Sequence, residues 1–357
     1  MEQTKERDLL FDNMKGFLIF FVIVGHMLNE RLGEAMWLKD IYYVIKMFHM
    51  PAFIFVLGYF SKNTKKSAQD AVRKFLIPYI IFDVIMGVID YIVYLQANEP
   101  MVFFDYFRIT KPRYGLWFLL TAFIYKILAG DIKKFRFNVP FALLIGLCLP
   151  FFPDFGLKLS LGRTFGYLFF FALGLWFKPE YIEKLRKIPA WIGWIAIVLT
   201  TIYSVYACEN KIIKKEVLHF RYPYDDKKKI KQMMMRLIIY LVASIIIVSF
   251  MIITTRKKCF LSKIGMNSVS VYVFHLFAVK WVARGPFLEG KTAYFFAFSL
   301  AYSALLTWLF SRDLFMKLYG SITGLVYKIV YKSEPVTAGV NEAVWVDREA
   351  DAISEDT

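Results

Sequence analysis

Three histidines, His26, His49 and His275, lie inside runs of apolar residues. An ionisable side chain is expensive to bury in lipid, so such a residue faces the protein interior and carries a chemical role. Imidazole titrates near neutrality, which suits it to taking a proton from an alcohol. The first run opens Asp12-Asn-Met-Lys15-Gly16 and reaches Gly25-His26 through apolar residues. Eleven positions separate Lys15 from His26, which at about 100° per residue returns them to within roughly 20° of one face, about 16 Å apart along a helix. Asp12, three positions before Lys15, shares that face. An acid, a base and a titratable ring thus line one stripe, and Gly16 and Gly25 let a neighbouring helix or a substrate come close. His49 opens the second run as Phe48-His49-Met50-Pro51. In antiparallel spans His26 and His49 sit at one depth and can meet, as base and hydrogen-bond donor for acyl transfer.

These residues need helices across a membrane to hold them. The chain is 58% hydrophobic and 19% aromatic, and its runs are apolar around the whole helical circumference, which lipid permits and one or two soluble cores do not. At roughly 20 residues per crossing, about ten spans are expected, near 9–29, 41–61, 75–96, 114–130, 138–153, 163–178, 189–208, 236–255, 267–283 and 293–311. Pro150 and Pro153 break the chain between the fifth and sixth, both short. The fold class expected is all-α, a polytopic membrane protein.

The formal charge of +16 would suit a nucleic-acid binder, but the cations cluster at span ends and no nucleic-acid-binding motif accompanies them. Basic connections follow the second, fourth, sixth and eighth spans, which puts both termini in the cytoplasm by the positive-inside bias. The basic stretch from Glu209 to Gln232 falls outside on that topology, and its His219 reads as solvated. The three cysteines, Cys148, Cys208 and Cys259, have neither metal-type spacing nor a disulfide pattern. The charged N-terminus without a small-residue cleavage site reads as leading into a retained span. Residues 1–312 form the expected transmembrane domain, 313–333 an amphipathic segment along the cytoplasmic interface, and 334–357 an acidic disordered tail.

Several motifs occur in order: Lys15-Gly16 to Gly25-His26, Phe48-His49-Met50-Pro51 with Gly58-Tyr59-Phe60, Arg73-Lys74-Phe75-Leu76-Ile77-Pro78-Tyr79, Leu116-Trp117-Phe118-Leu119, Gly162-Arg163-Thr164-Phe165 with Gly174, and Gly265-Met266-Asn267-Ser268 to Tyr272 and His275. Together they resemble the acyltransferase 3 family, membrane-bound O-acyltransferases of cell-surface sugars, and above all its fucose O-acetylase-like branch. Leu57 departs from the pattern, standing where many members carry Ser.

The resemblance implies acetyl-CoA as co-substrate, with no other cofactor and no metal, and a glycan or lipid-linked sugar as acceptor. It makes His26 the essential histidine and Arg163 the sixth-span arginine; physically, His26 suits a general base on the sugar hydroxyl or an acyl carrier, with His49 beside it, and Arg163 a cation for the thioester's developing oxyanion. Lys15, Arg73 and Lys74 are candidates to bind the donor's phosphates, the last two being equally well explained as positive-inside anchors. Read from the residues themselves, Asp12, Trp117 and His275 are candidates to line the substrate pocket, Asn267 and Ser268 to cap the helix of His275, and Trp117, Tyr79, Tyr167 and Tyr272 either to stack on sugar or to serve as ordinary interfacial aromatics. Membrane lipids are the remaining partner. The competing reading is a glycolipid or polysaccharide transporter or flippase, for which interior charges and many spans are equally expected.

Overall fold

The computed structural model describes residues 9–96, 110–153, 156, 158–285 and 288–330, and every regular element among them is helical. The helices are α1 (Leu10–Asn29), α2 (Met36–Tyr59), α3 (Thr64–Ala71), α4 (Ile77–Gln96), α5 (Trp117–Lys134), α6 (Asn138–Cys148), α7 (Leu161–Trp176), α8 (Pro179–Arg186), α9 (Ala190–Glu209), α10 (Lys215–Leu218), α11 (Lys229–Ile253), α12 (Phe260–Met266), α13 (Ser268–Arg284), α14 (Thr292–Phe310) and α15 (Asp313–Val330). A π-helical turn, Val72–Leu76, joins α3 to α4. Pro78 has no amide hydrogen and crowds the carbonyl one turn back, and the wider turn before it accommodates that.

Seven of these are long and apolar enough to cross a membrane: α1, α2, the α3–α4 unit, α7, α9, α11 and α14. By length and composition the expected ten is therefore not reached. α6 has 11 residues and α13 has 17, while α5 carries Lys126, Asp131, Lys133 and Lys134. α6 is short because it runs into a 3-10 turn at Leu149–Phe151, where Pro150 ends the helical ladder. Outward faces are apolar, as on α9, where Trp191, Trp194, Val198, Leu199 and Ile202 are all exposed. That surface belongs in hydrocarbon, and the fold is an all-α multi-pass membrane protein.

α2 is the central helix, packed on α1, α7, α9 and α11, while α1 lies against α2, α12, α13 and α14. Two crossings bring backbone onto backbone. A Cβ on Gly58 of α2 would stand 2.2 Å from the Phe171 carbonyl oxygen, and one on Gly174 of α7 would stand 2.1 Å from that of Phe55. A Cβ on Gly16 of α1 would likewise stand 2.3 Å from the Leu261 carbonyl oxygen, and one on Gly265 of α12 would stand 1.7 Å from that of Asp12. Only glycine admits these approaches, which lock α2 to α7 and α1 to α12.

The connection into α5 is pinned at successive residues. Arg113 Nη1 donates to Asp83 Oδ2 at 2.7 Å, and the Arg113 amide donates to Asp83 Oδ1 at 3.1 Å. The Tyr114 hydroxyl donates to Asp90 Oδ2 at 3.1 Å, and the Tyr272 hydroxyl donates to the Gly115 carbonyl. Lys280 of α13 closes a buried ion pair on Asp90. These bonds fix the start of α5, where Trp117 stands.

α15 docks through Tyr319, which stacks on Phe82 of α4 with centroids 5.9 Å apart, and exposes Leu314, Leu325 and Ile329. Residues 331–333 and the acidic stretch 334–357 lie outside the described residues.

Candidate active site

Lys15 Nζ reaches Asp12 Oδ1 at 3.0 Å, with the Asp12 side chain buried. Lys15 also lines a cavity of about 210 Å³ with Lys74 and Lys126. Ile19, Met50, Phe118 and Tyr272 line it too, Phe118 lying eight positions before Lys126 on α5 and so at the end away from that lysine, while none of the three histidines, Arg163 or Trp117 is among its lining residues. Three of these are each tied to a site residue: Met50 follows His49, Phe118 follows Trp117, and the Tyr272 ring lies 5.8 Å from that of His275. Tyr319 and Met316 of α15 complete the wall.

Beyond that end lie the histidines. The rings of His26 and His275 stand with centroids 5.4 Å apart. His49 and Lys46 of α2 and Arg163 of α7 are within electrostatic reach of His26. His49 and His275 are fully buried, whereas His26 is half-buried. His49 Nδ1 lies 2.7 Å from the Ile45 carbonyl and His275 Nδ1 lies 2.9 Å from the Val271 carbonyl. A carbonyl only accepts, so Nδ1 carries the hydrogen in both rings and a neutral Nε2 presents a lone pair. The His275 Nε2 is buried without a hydrogen-bond partner among the described residues, a costly state that a donor from His26 or a substrate hydroxyl would relieve.

Arg163 lies 4.8 Å from the centroid of Trp117, and Trp117 stacks on Tyr167 at 5.5 Å. The guanidinium is thereby held over an aromatic face, and no carboxylate acts on it among the described residues. It remains available to a developing negative charge.

The stretch after α9 folds back over this end of the site. The Phe220 ring packs where a Cβ on Gly166 would sit, and the Arg221 carbonyl oxygen packs against Gly162. Arg236 of α11, itself buried, lies 4.9 Å from the Phe220 centroid and 5.1 Å from that of Tyr224. The Tyr42 hydroxyl donates to Asn29 Oδ1 at 3.0 Å and meets His219 Nε2 at 2.6 Å. His219 is thus half-buried on Tyr42, which corrects its reading as solvated. Burial, then the charges of Lys46, Arg163, Lys215 and Arg221, push its pKa down to about 2.

Of the residues singled out from sequence, His26, His49, His275, Arg163 and Trp117 come together. Lys15 and Lys74 share the cavity, Lys74 also pairing with Asp70 at 2.8 Å. Arg73 turns instead onto Tyr327 of α15, 5.2 Å from its centroid. Asp12 sits with Lys15, away from Trp117 and His275. The ring neighbour of His26 is His275 rather than His49. Trp117 is buried, with Tyr167 and Arg163 against it. Asn267 makes no side-chain cap on α13; its amide donates to the Ser311 carbonyl at 2.8 Å and ties α13 to the end of α14.

Lys46 and Lys126 escape the sequence reading, as do Asp83 and Asp90. All four are ionisable residues inside apolar runs, and Lys46 lies one turn before His49, so the rule that selects the histidines selects them too.

The family profile described as an acyltransferase domain matches residues 9–312. A nodulation protein, NolL, of Mesorhizobium japonicum is 27% identical over 217 residues, 57% of this chain and 56% of that protein. NolL of Sinorhizobium fredii is 39% identical over 64 residues, 17% of this chain and 18% of that protein. The chain therefore spans about half, or less, of the length of these relatives. No solved structure matches. The stretch from residue 9 to 312 takes in α1, α2, α5, α7 and α13, the helices that bear the three histidines, Arg163 and Trp117, and the chain belongs to the acyltransferase 3 family.

Proposed function

We propose that the protein is a membrane-bound O-acetyltransferase that moves an acetyl group from acetyl-CoA to a hydroxyl of a cell-surface or exported polysaccharide or its lipid-linked precursor. One observation carries this reading: a single cavity is lined by Lys15, Lys74 and Lys126 and also by Tyr272, whose ring lies against that of His275, itself ring to ring with His26. The lysines suit the phosphates of CoA. The length of the stripe, about 16 Å from Lys15 to His26, suits the extended pantetheine arm that must bring a thioester to the histidines.

In this mechanism His26 takes the proton of the acceptor hydroxyl as its oxygen attacks the thioester carbonyl. The carbon–sulfur bond then breaks, the ester bond remains, and the CoA thiolate leaves and receives the proton. Arg163 faces the oxyanion that forms between these events. His275, with its Nε2 lone pair, receives an N–H from His26 and holds that ring in the tautomer that leaves its other nitrogen free to act as base. His49 supplies a second fixed ring at the same level.

The Lys15 end faces the cytoplasm in this reading, where acetyl-CoA is made, and the His26 end faces the acceptor outside. Both termini are then cytoplasmic in the cell membrane, with the shorter α5, α6 and α13 completing an even number of crossings. Purified protein offered radiolabelled acetyl-CoA and glycan acceptors should transfer label to the glycan, and His26→Ala should not. Absence of acetyl-CoA binding and transfer, with glycolipid instead crossing proteoliposomes in a His26-dependent way, would replace the enzyme with a flippase.

A further inference from the structure

The acceptor end of the site gathers cations, Lys46, Arg163, Lys215 and Arg221, that act on one another. Lys46 is half-buried one turn before His49, and the charged groups within its reach are Arg163 and Lys215. No carboxylate acts on Lys46 or on Arg163 among the described residues. The ammonium groups of Lys46 and Lys215 lie 5.3 and 5.6 Å from the centroid of one ring, Tyr42. Arg221 acts on both Arg163 and His219. The acids nearby, Glu216 and Glu30, act on Lys215 at the rim.

The scaffold holds these charges together against their repulsion. Lys215 opens α10 and Arg221 follows Phe220, in a segment clamped by Gly162, Gly166 and Arg236. The Tyr224 amide, three residues on, donates to the Pro150 carbonyl at 2.7 Å. A loop built only to be solvated would let its cations spread into water. This one holds Lys215 half-buried beside Lys46 on the Tyr42 ring, and Arg221, at the exposed edge, acts on Arg163 and His219, so that their fields add where the wall is partly dry.

We infer that the acceptor carries an anionic group, a carboxylate or a phosphate, within one or two sugar units of the hydroxyl that is acylated, and that Lys46, Lys215 and Arg221 receive it. The inference rests on the acyl-transfer reading and adds the substrate class. The basic stretch after α9 then has a function of its own, because it gives an acidic glycan or a sugar phosphate an orientation that a neutral sugar lacks.

The test uses the full chain in phosphatidylcholine nanodiscs, so that lipid anions do not compete. Three probes are compared by calorimetry and by transfer from radiolabelled acetyl-CoA: cellotetraose, its counterpart oxidised to a glucuronate at every unit, and cellotetraose 1-phosphate. At least one anionic probe should bind about tenfold or more tightly than the neutral one, and added salt should narrow the gap. The stronger of the two identifies carboxylate or phosphate as the source of the charge. Lys46→Met should erase the preference and Lys46→Arg should keep it. The rim double variant Lys215→Gln with Arg221→Gln should reduce it even if Lys46→Met fails to fold. Equal or undetectable binding of all three probes overturns the inference, as does a preference that survives these substitutions. Transfer without an anionic preference leaves the acyltransferase reading intact and overturns this one alone. An anionic preference without any transfer upholds the anion site and overturns the acyltransferase reading.

Discussion

His26 and His275 stand ring to ring, 5.4 Å between centroids, with His275 fully buried and His26 half-buried. On the acyl-transfer reading proposed above, the asymmetry divides the roles. A buried ring whose Nδ1 hydrogen is committed to the Val271 carbonyl can only accept at Nε2. The open ring is the one that can exchange a proton with a substrate.

Replacing His26 by Ala should therefore lower kcat by about 10²–10⁴-fold, the range of a lost general base. His275→Asn should lower it less, because Asn leaves the base in place and removes the ring that orients it. The check is acetyl transfer at saturating substrates, with gel filtration and thermal melting to establish that each variant is folded. Wild-type turnover in His26→Ala would remove that residue from the chemistry.

Lys126 is buried on α5 and lines the same cavity as Lys15 and Lys74. Lys126→Gln should raise KM for acetyl-CoA about tenfold, as expected for a lost charge-assisted contact, with kcat little changed. S-acetylpantetheine lacks the nucleotide phosphates, so its KM should be the same for both proteins. An equal loss with both donors would show that Lys126 supports the fold rather than the phosphates.

The α1 stripe was legible because helical periodicity alone puts Asp12, Lys15 and His26 on one face, and the Asp12–Lys15 pair at 3.0 Å follows from their spacing. Partners across helices were not. His275 could be recognised as an interior residue, but which histidine faces His26 depends on how α1, α2 and α13 pack. The Gly16 and Gly265 contacts fix α1 against α12, the short helix that leads into α13. Lys46 satisfies the same rule as the histidines, but a long basic side chain near a predicted span end reads equally as an interfacial anchor. The fold back of Phe220 onto Gly166 left no mark in periodicity, since residues 210–228 form no long helix.

The crossing of α2 and α7 gives a sharp packing prediction. Gly174→Ala would place a methyl 2.1 Å from the Phe55 carbonyl oxygen and 2.8 Å from the Tyr59 amide nitrogen. Backbone atoms cannot step aside as a side chain can, so the helices must separate. The expected cost is about 1–3 kcal/mol, the range of overpacked sites, read as a lower melting temperature in detergent. Activity should fall further than stability alone predicts, because α2 carries Lys46 and His49 while α7 carries Arg163. An unchanged melting temperature would mean that the two helices can separate without penalty.

His219 predicts a pH response of the segment that covers the site. Its pKa is pushed down to about 2 from the ordinary histidine value of 6.5, first by burial and then by Lys46, Arg163, Lys215 and Arg221. When the segment undocks, the ring regains the ordinary value and binds a proton below it. The docked state binds none there, so docking is at full strength above about pH 6.5 and weakens as pH falls, by at most about 1.4 kcal/mol per unit. Hydrogen exchange of the amides from Ile213 to Arg221, corrected for intrinsic rates, should lose protection between pH 7.5 and pH 5. His219→Gln keeps a hydrogen bond to Tyr42 within reach but does not titrate, and it should flatten that dependence. A pH-independent protection in the unaltered protein would mean that His219 does not hold the segment down, and that the clamp of Gly162, Gly166 and Arg236 suffices.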